Sequence, residues 1–226
     1  QGSLGAKGDL TISAARITAT TQADQSVAAE GTLRVSAVDA LAHTLGEQRG
    51  SGAKLSLSGQ TLVQGGRIEL PTGKLTLQAR GDVTLESGSI TSTAGVSQAA
   101  GKTWAVTQAG GDIAVTADAG NVTVRGTLDV SASRSDSATS KRAGQITLVA
   151  KQGDLVLGEK AALLGAADTD ALSGQLKVDT GAVRSESAVT SAGTLDRLAA
   201  LADAGQMRGS VNWRLRRGAQ SLDTTL

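Results

Sequence analysis

Cysteine is absent from this 226-residue chain, and phenylalanine and tyrosine are absent as well. Without cysteine there are no disulfide bonds and no thiolate metal sites. Aromatic residues make up 1% of the sequence, whereas a wide β-sandwich or a compact enzyme core normally uses more of them. These absences favour a narrow core that small aliphatic side chains can fill.

Three further scarcities limit the chemistry of the chain. His43 is the single histidine, so an imidazole metal cluster is excluded and a Ser-His-Asp site has only one residue to form around. The formal net charge is +1, which gives no indication of nucleic-acid binding. No apolar run reaches about 18 residues, and the sequence therefore predicts no membrane span. Signal-peptide features are also missing, so if the protein is secreted we expect its signal outside this segment.

Glycine is abundant, with 29 residues against one proline, and glycine-centred turns separate short alternating segments. Residues 110–132 contain three such segments, which begin at Ile113, Val122 and Leu128. Alternation places the apolar side chains on one face of a strand. Turns this short do not let consecutive strands pair as parallel neighbours, so we expect the chain to turn three corners and return above its start. This is one coil of a parallel β-helix.

The same pattern recurs along the whole chain. The first apolar residues of the first strands are predicted to be Leu10, Leu33, Leu55, Leu75, Ile113, Ile146, Leu176 and Val211. They are separated by 23, 22, 20, 38, 33, 30 and 35 residues, and the shortest interval is a bare three-strand coil. The sequence therefore predicts one all-β domain over residues 1–226, a parallel β-helix of about eight coils. Residues 75–90 and 146–164 should lie on either side of residues 110–132.

The longer intervals contain insertions, at residues 94–109, 131–143 and 165–173. Each follows the third strand of its coil, so all three should emerge along one edge of the rod. Arg134, Lys141 and Arg142 lie in the second insertion and are candidate interaction residues.

Two stretches depart from the strand pattern. Residues 36–45 fit either a helix or an irregular coil, and we prefer the coil. Residues 194–205 predict a short helix inserted before the last strand, with Thr194 as its cap and Gly205 at its end. Neither end of the chain carries a polar cap, so we expect an internal piece of a longer rod.

Arg80-Gly81-Asp82 spells the tripeptide that integrins read. However, Gly-Asp also occurs before other strands, at Gly8-Asp9, Gly111-Asp112 and Gly153-Asp154. A short aspartate side chain suits such corners because it can bond nearby backbone. We favour this structural interpretation over receptor binding.

Some parallel β-helices are polysaccharide lyases or hydrolases, which need acids on adjacent coils. The outward positions of the first strands are predicted to be Thr11, Arg34, Ser56, Thr76, Ala114, Thr147 and Lys177. Those of the third strands are Glu69, Thr91 and Asp129. No column of acids forms, so an active site on these faces is not expected.

A local cluster of basic residues surrounds Trp213 near the end of the chain. Its members are Arg208, Arg214, Arg216 and Arg217. The cluster has the charge to contact an anionic glycan. A solvated strand face is the interpretation we prefer.

Three segments resemble the repeats of filamentous haemagglutinin-like exoproteins of Gram-negative bacteria: GDVTL at 81–85, GTLDVS at 126–131 and AGQITL at 143–148. The resemblance implies a right-handed β-helix shaft, export by two-partner secretion, and a secreted or cell-surface location. It also implies roles in adhesion, biofilm or contact-dependent competition. The family's secretion domain is not visible, so contact with the outer-membrane transporter is expected through a region outside this segment.

The sequence thus predicts a non-enzymatic shaft segment of a large adhesin, without cofactors, that holds a distant binding or toxin region away from the cell. Two alternatives stay open. One is a polysaccharide-active β-helix enzyme. The other is a shaft whose insertion edge binds a glycan or protein of a host-cell or bacterial surface.

Overall fold

A computed structural model of the chain describes residues 1–38, 50–99, 105–133, 140–186 and 194–217. Within these ranges the chain forms short strands joined by tight turns, one α-helix and one 3-10 helix. The strands are short because glycine-centred turns interrupt the apolar alternation every few residues.

The first strands in chain order are β1 (Gly2–Ala6), β2 (Leu10–Ala14), β3 (Asp24–Ala29), β4 (Thr32–Ala37), β5 (Lys54–Gly59), β6 (Thr61–Gly65) and β7 (Arg67–Glu69). The next are β8 (Lys74–Ala79), β9 (Val83–Leu85), β10 (Ile90–Ser92), β11 (Gln98–Ala99), β12 (Ala105–Val106), β13 (Asp112–Ala117), β14 (Val122–Val124) and β15 (Thr127–Asp129). The last are β16 (Gln145–Ala150), β17 (Leu155–Leu157), β18 (Ala162–Leu164), β19 (Gln175–Thr180), β20 (Val183–Ser185) and β21 (Ser210–Leu215). The α-helix is α1 (Thr194–Ala204), and Asp170–Leu172 forms the 3-10 helix.

Consecutive strands belong to different sheets, as a β-helix requires, except for β11 and β12, which pair with each other as an antiparallel hairpin in the first insertion. The first sheet has the order β1-β3-β5-β8-β13-β16-β19-β21, the second β2-β4-β6-β9-β14-β17-β20, and the third β7-β10-β15-β18. All pairs in these three sheets are parallel. The predicted parallel β-helix is therefore confirmed. Among the described residues the sheets contain eight, seven and four strands, so not every coil contributes to each sheet.

The coil at residues 110–132 has the neighbours that its sequence predicts. Ile113 pairs with Leu75 on one side and with Ile146 on the other. β14 lies between β9 and β17, and β15 lies between β10 and β18. The register predicted for the middle of the chain is confirmed.

The predicted register is wrong in the first two coils. Leu10 and Leu33 lie in β2 and β4 of the second sheet, where they pair with each other. The first-sheet strands of these coils are β1 and β3, which have few large apolar residues, in the sequences GSLGA and DQSVAA. The sequence pattern did not reveal these two strands because small and polar residues give no apolar alternation.

Inward-facing side chains form continuous columns along the rod. One column runs through Leu57, Leu77, Val115, Leu148 and Val178, which are all buried and lie in register. Burying each such side chain contributes roughly 1.5–3 kcal/mol relative to leaving it exposed. The core therefore extends along the whole stack, and each cross-section of it is filled by the inward side chains of a single coil. At the beginning of the stack, Leu4 is 55% exposed.

The third sheet begins differently from the other two. Ile17 of the first coil bridges directly to Ile68 of β7, in the third coil. The Ile17 N–H donates to the carbonyl of Arg67 at 2.8 Å, and the Glu69 N–H donates to the Ile17 carbonyl at 2.9 Å. On this side, no described strand of the second coil separates the two. Ser36 and Ala37 end β4, and the remainder of the irregular stretch, residues 39–45, lies outside the described residues.

The three insertions all connect a third-sheet strand to the next first-sheet strand, which confirms that they emerge along one edge. Their described parts stack on one another. Ser133 N–H donates to the Gln108 carbonyl at 3.0 Å, and Ala132 N–H donates to the Ala166 carbonyl at 2.8 Å. A small satellite core of Ala132, Ala143, Ala167 and Leu172 fills the space between them.

The helix predicted at residues 194–205 is confirmed as α1. Its apolar face buries Leu195 and Leu198, and the helix packs against β18 and β20, where a third-sheet strand would otherwise follow. No helix within the described ranges is long and apolar enough to cross a membrane.

The end of α1 differs in detail from the prediction. Gln206, not Gly205, adopts the left-handed conformation, with φ of +57°. The Gln206 and Met207 N–H groups donate to the carbonyls of Asp203 and Ala202 at 3.0 and 2.8 Å, a Schellman arrangement. Gly205 is needed for a different reason: a Cβ there would lie 1.5 Å from the Leu163 carbonyl oxygen.

Substitutions at these two neighbouring positions should have opposite effects. Gln206→Gly should stabilise the fold by about 0.5–1 kcal/mol, because glycine adopts a positive φ without strain. Gly205→Ala should destabilise it by more than about 1 kcal/mol, because the methyl group collides with backbone. Urea unfolding of both variants measures the difference, and equal effects would contradict this account of the helix end.

Candidate interaction surfaces

The Arg80-Gly81-Asp82 sequence lies at the corner between the first and second sheets. Arg80 and Asp82 are exposed. The Asp82 Oδ1 accepts a hydrogen bond from the Asn121 N–H of the next coil at 2.7 Å. A Cβ at Gly120 would lie 2.3 Å from this same carboxylate oxygen, so the corner is tightly packed around it. Asp82 therefore bonds backbone, as the structural interpretation of this motif requires.

The same contact recurs at this corner in other coils. Asp9 accepts from Thr32 N–H at 2.6 Å, Asn121 from Asp154 N–H at 2.8 Å, and Asp154 from Ala182 N–H at 3.0 Å. Each of these side chains thus accepts a hydrogen bond from a backbone N–H of the next coil. We call this series of contacts along the corner the corner ladder. Asp112 makes an equivalent bond to the Gln145 N–H, at 3.2 Å, at the corner that leads into the first sheet.

The basic residues near the end of the chain do not form a single patch. Arg208 lies beside the helix and donates to Asp203 at 2.7 Å, with Asp170 at 3.4 Å. The hydrogen bond to Asp203 raises the pKa of Arg208 above its ordinary value. No described hydrogen bond or ion pair joins Arg208 to Arg214, Arg216 or Arg217.

A separate group is formed by Arg214, Arg216 and Arg217, at the end of β21 and just after it. These three arginines contact two aspartates. Arg216 and Arg214 reach Asp179 at 3.0 and 3.9 Å. Arg217 donates to Asp154 at 2.6 Å, and Asp154 is only 6% exposed. Arg184 also donates to Asp154 at 2.6 Å. Each of these arginines therefore contacts a carboxylate of a preceding coil, but two carboxylates serve four guanidinium groups, so part of the positive charge remains.

Trp213 points away from these arginines. It pairs with Val178 in β19 and continues the inward column of the core, against which it packs. Arg214, one residue later, faces outward because side chains alternate along a strand. Trp213 is therefore a partly buried residue that packs against the core, on the opposite face of β21 from the outward-facing Arg214.

The structure describes two of the three basic residues that were predicted at the insertion edge. Lys141 is half-buried and Arg142 is exposed. The Arg142 carbonyl accepts the Gly110 N–H at 3.0 Å, so backbone contacts hold this edge to the preceding insertion. Arg134 lies outside the described residues, as does His43.

One predicted outward position is wrong. Thr91 is fully buried and pairs with Ile68 and Leu128, both core residues. Its hydroxyl accepts a hydrogen bond at 3.2 Å from Gln64, another fully buried polar residue that the sequence analysis missed. The signal was present, because Gln64 lies two residues after Leu62 and so shares its inward face.

The outward acids of the third sheet have different partners. Ser92 takes the position next to Glu69 and Asp129 that Thr91 was predicted to occupy. Glu69 pairs with Arg67, and with Arg16 at 3.5 Å. Asp129 accepts the Ser131 N–H at 2.9 Å. Among the described residues, no group of three or more metal-ligating side chains lies together.

Two ion pairs span the corner between the second and third sheets, and both pass over a glycine. Arg34 bonds Glu86 at 3.1 Å across Gly65, where a Cβ would lie 2.2 Å from the Glu86 carboxylate. Each ion pair joins two coils that have a third coil between them, and the glycine belongs to that middle coil.

The second of these pairs joins Arg125 to Glu186 at 2.5 Å across Gly158. A Cβ at Gly158 would lie 2.7 Å from the Arg125 Cγ. The hydrogen bond to Glu186 raises the pKa of Arg125. Opposite charges on either side of a glycine at one register position were the sequence signal for this second pair, whereas Arg34 lies two residues before Ser36, the register partner of Gly65.

A shallow groove of about 650 Å³ crosses the outward face of the first sheet near its beginning. Its floor includes the small residues Gly5, Ala28 and Ser58 together with Gln78, and its rim includes Arg80 and Asp118. The Asp118 carboxylate contacts the Lys151 ammonium at 2.7 Å, and this hydrogen bond lowers the pKa of Asp118 below its ordinary value.

No protein-family model matches the sequence, and comparison with curated proteins and with solved structures returns no significant match. The sites are therefore interpreted from their own geometry.

Removing the carboxylate of Asp82 should cost about 1 kcal/mol of folding free energy, because the Asn121 N–H loses its acceptor. Asp82→Asn keeps an acceptor oxygen and should retain most of that stability, as Asn121 does in the same ladder. Chemical unfolding of Asp82→Ala, Asp82→Asn and Arg80→Ala compares them. An Asp82→Ala variant as stable as the wild type would contradict the ladder.

Removing the ammonium of Lys151 should raise the pKa of Asp118 towards its ordinary value. The Lys151 contact favours ionised Asp118, so its contribution to stability is present above the ordinary aspartate pKa and is lost as pH falls through the lowered one. Carboxyl-carbon NMR titration of Lys151→Met measures the shift. Lys160→Met, at an exposed corner elsewhere, serves as the control, and an unchanged Asp118 titration in Lys151→Met would refute the assignment.

Proposed function

We propose that this chain is a structural shaft segment of a large secreted or cell-surface adhesin of the filamentous haemagglutinin type. In this role it holds a distant binding or effector region away from the cell and catalyses no reaction. The observation that carries the proposal is the unbroken parallel pairing of β1 through β21 in the first sheet. Such pairing makes a single stiff body whose length is set by the number of coils.

The polar side chains support this role because many of them connect one coil to another. The Asp9, Asp82 and Asp154 carboxylates each bond the backbone of the following coil. The Arg34 and Arg125 guanidinium groups each reach over one coil to the next. Carboxylates used in this way hold the stack together, which is what a load-carrying rod needs.

The secretion route and location are part of the same proposal and rest on the resemblance of the repeats. Export would use an outer-membrane two-partner secretion transporter, recognised by a region outside this segment. The stacking of the insertions along one edge favours a second candidate function, in which that edge binds a surface glycan or protein.

A shaft should tolerate the removal of one whole coil. Deleting residues 112–144 removes 33 residues and brings Gln145 to the position of Asp112, so that Ile146 pairs with Leu75. The variant should unfold cooperatively and be shorter by about 5 Å in small-angle scattering. Bacteria that carry it should still attach to their target.

Deletion of Thr123 alone is the matched control. It makes Val122 and Val124 adjacent, and the two cannot then both face the core, so removing one residue should destabilise the rod more than removing 33. Loss of attachment on deleting residues 133–142, with the rod intact, would assign the function to the insertion edge. Depolymerisation of an acidic polysaccharide by the purified chain, abolished by removing one carboxylate, would replace the proposal with an enzyme.

A further inference from the structure

The outward face of the first sheet is bordered by two rows of polar side chains, and the groove lies along the first of them, the corner row. The corner row consists of the residues that directly follow β1, β3, β5, β8 and β13, namely Lys7, Glu30, Gln60, Arg80 and Asp118. The entry row consists of the residue before β1 and the first residues of the other four strands, namely Gln1, Asp24, Lys54, Lys74 and Asp112. Small outward side chains lie between the rows, among them Ser26, Ala28, Ser56 and Ser58.

We propose that two copies of this chain associate through this face, with their rods antiparallel and a two-fold axis passing through β5. This symmetry places β1 of one copy opposite β13 of the other, β3 opposite β8, and β5 opposite itself. Each row then faces the same row of the second copy in reverse order.

The corner row is self-complementary under this operation. Lys7 meets Asp118 of the second copy, and Glu30 meets Arg80. Both pairs occur twice because of the symmetry. Gln60 meets its own copy, and two amide groups can bond each other because each has a donor and an acceptor.

The entry row follows the same pattern with one exception. Asp24 meets Lys74, again twice, and Gln1 meets Asp112 as a donor facing a carboxylate. Lys54 meets its own copy on the axis, which is the single like-charge contact. The arrangement therefore gains three kinds of opposite-charge pair against one repulsion.

Other arrangements of the same face are electrostatically worse. Moving the axis to β8 brings Arg80 against Arg80 and Lys74 against Lys74. A parallel arrangement places the corner row against the entry row, so that acids meet acids at Glu30 and Asp24. It also brings Arg80 against Lys74. Like charges in direct contact are destabilising, so the antiparallel arrangement on β5 is favoured.

The side chains required are available for such contacts. Lys7, Glu30 and Arg80 are exposed, and none of them makes an ion pair with another described residue. Asp118 contacts Lys151 through Oδ1, and its Oδ2 accepts only a long hydrogen bond from Gln78, at 3.5 Å, which an ammonium group of the second copy can replace. The two sheets can approach closely because the floor of the groove is made mostly of small residues, and its one long side chain, Gln78 of β8, faces Ala28 of β3 in the second copy.

The size of the face sets the strength to expect. Five strands about 4.8 Å apart, with about six to eight residues each, give roughly 400–600 Å² per copy. The total of about 1,000 Å² is at the lower limit of specific interfaces. The dimer should therefore be weak, form at high micromolar concentration, and dissociate as salt screens its charges.

Sedimentation equilibrium of the full chain at low ionic strength tests the proposal. Glu30→Arg and Arg80→Glu should each raise the dissociation constant at least about tenfold, because each turns two attractions into repulsions. The double variant Glu30→Arg/Arg80→Glu should restore dimerisation, since the exchanged charges still meet across the axis. Recovery by this exchange distinguishes the proposed register from any other contact.

Two further variants complete the test, and circular dichroism and thermal unfolding verify that every variant is folded. Lys54→Gln removes the repulsion on the axis and should tighten the dimer, whereas Lys160→Glu, away from this face, should change nothing. A chain that stays monomeric at millimolar concentration in low salt overturns the proposal. So does a dimer that the double variant fails to restore. Neither result bears on the shaft function, which concerns the rod itself.

Discussion

In-register parallel pairing between coils is the constraint on which the rest of the molecule depends. Each strand must give its backbone N–H and C=O groups to the coils on either side, because its chain neighbours lie in other sheets. Pairing in register puts equivalent positions directly above one another. A leucine then stacks on a leucine, as Leu57 does on Leu77, and a corner carboxylate such as Asp82 lies beside the next coil's N–H. Core, corner ladder and two-coil ion pairs are all consequences of this repetition.

The sequence was sufficient to predict the fold wherever the core is fully enclosed. Around Ile113 the inward strand positions are aliphatic, most of them Val, Ile or Leu, so alternation alone gave the register. It failed where burial is incomplete, in β1 and β3, because Ser, Gly and Gln at inward or outward positions give no periodic signal. It also failed at Thr91, where a hydrogen bond from Gln64 permits a hydroxyl inside the core. That contact joins two coils and cannot be read from either alone.

The candidate surfaces were predictable in kind but less so in arrangement. The corner role of Asp82 could be inferred because Gly-Asp recurs at equivalent positions. The basic cluster near Trp213 looked continuous only in the linear sequence. In the fold, strand alternation turns Trp213 inward, and Asp154 and Asp179 of earlier coils lie beside the arginines. Charge balance across coils depends on the register of the stack, which neighbouring residues in sequence do not reveal.

The direct contact between Ile17 and Ile68 has a consequence for the shape of the rod. Two faces of the stack include a strand from the second coil, whereas the third face passes from the first coil to the third. Between the first and third coils, the stack is therefore shorter on the third face than on the other two faces, by up to the thickness of one strand. We therefore expect the first coil to tilt towards the third face, which gives the rod a bend of fixed direction at this point.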